Sequence, residues 1–254
     1  MQSSLSIHAL VGIPIVNTGD DIASLISTAV SDPGMSLVDG DIVVVSQKIV
    51  SLAENRLVHL DSVKVSAKAL KLANETDKDP RLVELILQES TAVIRAKPGV
   101  IIVRNRLGFV GANAGIDQSN IDHSGGESAL LLPVDPDGTA RKIRSFLMQD
   151  LGCNIGVIIS DSTNRPWRLG SIGAAIGSAG ITVIDDRRGD DDLYGRKMKI
   201  TEINRADAIA AAAVLIMGET AEKTPVAIVH GFSAEDSGDG AKLSIRSIEE
   251  DLFL

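Results

Sequence analysis

Aromatic side chains are nearly missing from this sequence. Phe, Trp and Tyr make up 2% of its 254 residues, with one tryptophan, Trp167, and one tyrosine, Tyr194. The core must therefore be aliphatic, and a row of rings on which single-stranded nucleic acid could stack is not to be expected. Cysteine is just as scarce. Cys153 alone excludes an intramolecular disulfide and a cysteine-based zinc cage, and it reads as a small buried hydrophobe. Positive charge is in deficit: 25 Lys and Arg face 34 Asp and Glu, a formal net charge of −9. Such a chain repels a phosphate backbone at long range, so nucleic acid is disfavoured as a partner. A small phosphorylated ligand bridged to carboxylates by divalent cations is compatible with that charge. Long apolar runs are also absent. The longest, residues 208–217, falls well short of the roughly 20 residues a membrane span needs. The first ten residues carry no basic stretch followed by an apolar run, and a cytoplasmic protein is the expectation.

Several familiar signatures are missing too. There is no G-x-x-x-x-G-K-[ST] phosphate loop, no G-x-G-x-x-G dinucleotide turn and no G-x-S-x-G nucleophile elbow. His8, His59, His123 and His230 show no H-E-x-x-H spacing.

What is present is a mixture of short β-branched runs and helical patterns. Residues 4–10, 41–45, 100–104, 107–112, 155–160, 181–184 and 226–230 read as strands. The third and fourth form a hairpin turning at Asn105-Arg106. Helices are expected over residues 20–29, 66–74 and 81–89, then from Asp135-Pro136-Asp137 towards Met148, and over 205–217 between an Asn204 cap and Gly218. Strands and helices do not alternate strictly, and the hairpin argues against a purely parallel sheet. The fold class is α+β, in one domain over residues 1–254 that could hold two subdomains, with no fused second domain. With 44% hydrophobic residues the chain is globular.

Five segments concentrate polar chemistry after apolar elements. Residues 111–120 place Asp117 and Asn120 after a strand, as a hard-metal ligand and a hydrogen-bonding group or as an ordinary Asx-turn loop. Residues 158–168 end an apolar strand in Asp161, Ser162, Arg165 and Arg168, a set suited to phosphate or carboxylate, or a solvated strand end. Residues 170–180 repeat glycine at three- and four-residue spacing, which fits a close-packed helix or a backbone cradle for an anion. Residues 185–196 are a charge run, a solvated loop or a flap carrying ligands. Residues 217–225 carry Glu219 behind Gly218, a third metal-ligand candidate or a helix cap with its loop. Three acids with hydroxyl and arginine neighbours suit a Mg²⁺ or Mn²⁺ triphosphate site, but spacing alone leaves their convergence open.

The same motifs resemble the coenzyme F420:L-glutamate ligase family. The resemblance rests on Gly12-Ile13-Pro14, the stretch from Asp39-Gly40-Asp41 to Ser51, residues 113–120 and 161–170, Asp192-Leu193-Tyr194-Gly195-Arg196, Met217-Gly218-Glu219 and the tail Glu249-Glu250-Asp251-Leu252-Phe253. It implies an unusual ligase fold of mixed sheets and helices, working as an intertwined homodimer. It also implies GTP as co-substrate, divalent Mg²⁺ or Mn²⁺ (two per subunit), K⁺, and as partners the F420 precursor and L-glutamate. Carried over by position, Asp117, Asp161, Ser162 and Glu219 would bind metal. Ile13, Pro14, Ile15, Val16, Gln47, Lys48, Asn120, Gly218, Thr220, Ala221, Glu222, Lys223, Thr224 and Pro225 would line the nucleotide site. Arg165 and Arg168 are the candidates for neutralising charge on a moving phosphoryl group. Other readings are a related ligase with altered nucleotide or acceptor, and a non-catalytic deazaflavin-phosphate binding protein.

The chain departs from the family pattern Ser-Lys-Ala-Glu-Gly-Arg, carrying Ser51-Leu52-Ala53-Glu54-Asn55-Arg56. Leu52 removes a lysine that the family places at the nucleotide, and Lys48 is the candidate to replace its charge. Asn55 and Asn164 stand where glycine is usual; asparagine tolerates a left-handed backbone best among the other residues. Ser162 replaces a common threonine and keeps the hydroxyl.

Overall fold

The computed structural model describes residues 4–31, 35–232 and 235–251; Leu252 and Phe253 of the tail motif lie outside the described residues. In chain order the elements are β1 (Ser6–Ala9), α1 (Ile22–Val30), β2 (Ile42–Ser46), α2 (Gln47–Ala53), β3 (Leu57–His59), α3 (Ala67–Thr76), α4 (Pro80–Gln88), β4 (Ser90–Lys97), β5 (Val100–Asn105), β6 (Val110–Ala112), β7 (Ser128–Leu130), α5 (Pro136–Leu151), β8 (Gly156–Asn164), β9 (Ser171–Ala179), β10 (Ile184–Asp186), β11 (Glu202–Asn204), α6 (Arg205–Met217) and β12 (Val226–His230). The mixture of helices and sheets is the α+β class expected.

A five-stranded sheet in the order β1-β12-β2-β8-β9 forms the centre. Only β2 and β8 run parallel; its other pairs are antiparallel. The central strands are apolar over residues 42–45, 157–159 and 226–229 because both faces are covered there. Val43, Val45, Val157, Ile159, Val226 and Ile228 point to one face, packed with Ile26 of α1 and Ile143 and Leu147 of α5. Ile42, Val44, Ile158, Ala227 and Val229 point to the other, packed with Ile209, Ala210 and Ala213 of α6. A separate core joins α3 and α4 to the three-stranded sheet β4-β5-β6 and to Ala129 of β7.

Capping chemistry sets the helix ends, at Asn204 and at the two opening prolines as the sequence suggested. Asp21, Ser66, Asp79, Asp135 and Asn204 each accept a backbone N–H at an N-terminus, and prolines open α4 and α5. Helix α2, capped by Ser46, was not expected from the sequence.

Four expectations need correction. The glycine-rich segment after Gly170 is strand β9, neither helix nor anion cradle. Its glycines let α-helical backbone lie against the sheet: a Cβ at Gly173 would meet Ala210 O at 2.3 Å, and one at Gly177 would meet Pro136 backbone at 2.5 Å. The apolar strand does not stop at Ser160. It continues to Asn164, because β9 pairs with it along that length. Asn164 therefore has no left-handed turn to make, whereas Asn55 does, at φ 57°. The β5–β6 hairpin turns over residues 105–109, closed by Asn105 N–H to Phe109 O, with Gly108 at φ 99°. Finally, the strand expected at 181–184 begins only at Ile184; Ile181 and Val183 are buried core residues ahead of it.

Gly173→Ala should lose about 1–3 kcal/mol, since the methyl group has only α6 backbone to displace. Urea unfolding followed by circular dichroism measures this; an unchanged midpoint would mean that β9 and α6 separate without cost.

Candidate active site

The sheet brings distant segments to one end. In the parallel pair, Ser46 stands opposite Ser160. The next residues, Gln47 and Lys48 on α2 and Asp161 and Ser162 on β8, are therefore neighbours. β12 runs antiparallel to β2, with Ser46 N–H donating to Pro225 O at 2.8 Å, so the loop 218–225 reaches the same end. β1 is antiparallel to β12, with Leu10 N–H on Val226 O at 2.9 Å, so residues 13–16 emerge there too. Ile13 and Val16 are anchored in the core, while Pro14 and Ile15 are exposed.

Asp117 and Asn120 arrive from a different layer. Asp117 exchanges backbone hydrogen bonds with Leu130 beside β7. Its carboxylate accepts from Gln47 Nε2 at 2.9 Å and pairs with Lys48 Nζ at 3.1 Å. Gln47 is oriented by Ser51, whose hydroxyl donates to its Oε1 at 2.9 Å. Lys48 Nζ also donates to Ser119 O at 2.8 Å, a contact no motif had singled out. Asn120, at φ 55°, donates from Nδ2 to Glu219 O at 3.3 Å. Ser162 Oγ donates to Glu219 Oε1 at 2.5 Å, and Ser162 N–H donates to Asp161 Oδ1 at 2.9 Å. The loop behind Glu219 is folded on itself by Thr220, which donates twice to Glu222, and by Thr224 Oγ1 to Met217 O.

The three acids thus share one electrostatic neighbourhood. Burial and then the negative charge of Asp117 raise the half-buried Asp161 carboxyl to about 7. The Ser162 N–H and Lys48 act against that rise, and Glu219 adds to it. A cation placed among these acids would relieve their repulsion. The donors (Asp117, Asp161, Glu219 and the Ser162 hydroxyl) are hard oxygens, the chemistry that Mg²⁺ and Mn²⁺ prefer. Among the described residues no three acid, imidazole or thiol groups form a ready cage. Asp117 is held by Lys48 and Gln47, and Glu219 by Ser162. That arrangement fits a cation keeping most of its coordination for water and phosphate oxygens, as Mg²⁺ does.

Arg165 and Arg168 occupy the exposed tip between β8 and β9, beyond the acids. No ion pair joins either to Asp117, Asp161 or Glu219 among the described residues. Leu52 is one helical turn from Lys48 on α2 and packs against the apolar core. The charge run forms the β10–β11 hairpin and its loop, where Arg187 and Arg188 pair with Asp185 and Asp186. No helix among the described residues is long and apolar enough to cross a membrane.

The model of the family described as F420-0:Gamma-glutamyl ligase matches residues 11–231. The chain is 45% identical to the coenzyme F420:L-glutamate ligase of Methanothermobacter thermautotrophicus, over 98% of both chains. It is 42% identical to the protein of the same name from Methanopyrus kandleri, covering 94% of this chain and 93% of that one. The corresponding protein of Archaeoglobus fulgidus is 39% identical over 95% of this chain and 93% of its own.

Asp161→Asn keeps an acceptor for the Ser162 N–H and removes the disfavoured charge. In wild type, a carboxyl raised to about 7 helps the folded state at low pH, and that help is lost as pH rises through 7. In EDTA, the variant should therefore be more stable than wild type at pH 8 by about 1–2 kcal/mol, a figure discounted for partial exposure. The gap should shrink towards pH 4. A pH series of urea unfolding curves decides; a gap independent of pH would place the Asp161 carboxyl in its ordinary range.

Proposed function

Because this chain belongs to the F420-0:Gamma-glutamyl ligase family, we propose that it joins L-glutamate to the coenzyme F420 precursor in F420 biosynthesis, using GTP. The observation carrying this reading is the meeting of Asp117, Asp161, Ser162 and Glu219, from three separate segments, beside Gln47, Lys48 and Asn120.

The reaction runs in two steps. A carboxylate oxygen of the precursor attacks the γ-phosphorus, and the bond from that phosphorus to the GDP oxygen breaks, giving an acyl phosphate. The glutamate amine then attacks the acyl carbon; inorganic phosphate leaves, a proton is released, and an amide forms. Asp117, Asp161, Ser162 and Glu219 would hold the divalent cations, two per subunit in this reading, with K⁺ assisting. Bound there, such ions neutralise charge on the transferring phosphoryl group. Pro14, Ile15, Gln47, Lys48, Asn120 and the loop 218–225 line the nucleotide. Lys48, released from Asp117, turns its ammonium to the phosphates. Arg165 and Arg168 would have to close over the site from the β8–β9 tip to add their charge. The protein acts as a homodimer in this reading, which is supported by the exposure of Leu169, Leu193, Tyr194 and Leu215.

Leu52 favours a second reading, a ligase of altered nucleotide preference. It stands one helical turn after Lys48 on α2 and is only partly buried against the core, so a lysine there would add a second ammonium to this helix.

Mass spectrometry of the glutamate-free precursor incubated with GTP, Mn²⁺ and glutamate should show a glutamate-sized gain. Asp161→Asn should lower that rate by about a hundredfold or more. No product with any triphosphate, despite a bound precursor, would favour a binding protein.

Leu52→Lys should lower the KM for GTP by about tenfold, the effect of one charge-assisted phosphate contact. Steady-state kinetics with GTP and ATP side by side tests this; product from ATP alone in the parent chain would establish the altered preference.

A further inference from the structure

Away from the acid cluster, the β5–β6 turn and the segment after β7 enclose a cavity of about 160 Å³. Arg56, Glu89, Asn105, Arg106, Leu107 and Leu132 contribute to its wall. Arg56 is fixed in place. Its Nε donates to Leu132 O at 2.8 Å and one Nη donates to Glu89 Oε2 at 2.8 Å. The other Nη makes no hydrogen bond among the described residues. Arg106 is tethered through Nε to Gln88 O at 2.5 Å, which leaves its Nη groups available. Asn105 is 7% exposed. Its Oδ1 accepts the Phe109 N–H at 3.0 Å, while its amide NH₂ donates to nothing among the described residues.

Two guanidinium groups against one carboxylate leave this cavity with a net positive charge, in a chain whose formal charge is −9. Its open donors call for an anion with several acceptor oxygens. The volume is well below the roughly 300 Å³ at which pockets begin to hold drug-sized ligands, so a nucleotide or a deazaflavin does not fit. A small dicarboxylate does, with Leu107 and Leu132 against its methylene groups. The location also suits a co-substrate. Leu131 N–H donates to Arg56 O at 3.1 Å, and the adjacent Leu130 pairs with Asp117. Two inter-strand spacings, about 10 Å, thus separate the Arg56 backbone from that of Asp117.

Resting on the ligase reading, we propose that this cavity is the subsite for the incoming amino acid. The carboxylates of glutamate bind Arg56, Asn105 and Arg106, and its amine is left uncovered towards the acid cluster.

Asn105→Asp tests this with little change of shape. It keeps the oxygen that holds Phe109 N–H and replaces the open donor by a negative charge. Arg106→Gln is the second variant, at an exposed position where folding is not at stake. The KM for glutamate should rise about tenfold or more in Asn105→Asp and about threefold or more in Arg106→Gln. The KM for GTP should stay within about twofold of wild type, with thermal melting confirming the fold. An active wild type whose variants keep the parental glutamate KM, or lose GTP affinity in step, would overturn the subsite alone. If wild type makes no product, the ligase reading fails instead. Equilibrium dialysis of radiolabelled glutamate then decides the cavity: binding to wild type that is lost in Asn105→Asp upholds it, and equal or absent binding overturns it.

Discussion

The parallel pairing of β2 with β8 is the contact on which the rest of the site depends. In a sheet otherwise antiparallel, it brings two strand ends out at the same edge in register, Ser46 beside Ser160. The antiparallel neighbours on one side then deliver the chain before β12 and the chain after β1 to that edge. Segments more than two hundred residues apart in sequence meet because of hydrogen-bond register. The outer pairs stabilise that register by burying both faces, so a slip by one residue would turn valines and isoleucines from one core into the other. The site is thus specified by the same aliphatic alternation that stabilises the fold.

Concentrating acids at that edge works against stability. Asp161 is held near Asp117 and Glu219 with its ionised form disfavoured. The protein offsets this locally: Lys48 and Gln47 hold Asp117, and Ser162 engages Glu219. These are short, polar and partly exposed contacts, the kind that an incoming cation and phosphate can exchange for stronger ones. Asp41 shows the contrast. It is fully buried, and it accepts from Val38 N–H and pairs with His230 at 2.9 Å. A buried acid with its own partners is structural; partly exposed acids that crowd one another are candidates for a cation site.

Elements with strong local signals were legible in the sequence. Asn204, the alanine-rich run and Gly218 delimit α6 through capping chemistry that acts within a few residues. The convergence of Asp117 with Asp161 was not legible, because it depends on which strand pairs with which. Glycine spacing misled at β9. The same small residues that pack helices also let a strand lie against helix backbone, and only the contact with Ala210 and Pro136 distinguishes the two. Helix α2 escaped notice because seven residues are too few for a periodic pattern, although Ser46 offered its cap. The metal and nucleotide residues named by resemblance lie on segments that the fold leads to one edge, whereas Arg165 and Arg168, chosen for their charge alone, stand off at the β8–β9 tip.

Helix α2 links the two halves of the proposed chemistry. Its first turn presents Gln47 and Lys48 to Asp117, and its end leads through the left-handed Asn55 into Arg56 at the second cavity. Between them, Leu52 is committed to the core. With leucine at position 52, the fixed positive charge that the proposed nucleotide site would offer is Lys48 and the loop residue Lys223. More of a triphosphate's charge would then fall to bound cations, in keeping with the crowding of oxygen donors at the strand ends. Two divalent cations and a triphosphate bound together would leave the net charge of the proposed site almost unchanged, whereas either alone would shift it strongly. Metal alone would have to displace Lys48 from Asp117, and nucleotide alone would face three carboxylates. On the proposed reading the two ligands would be coupled by charge, with α2 placed beside both.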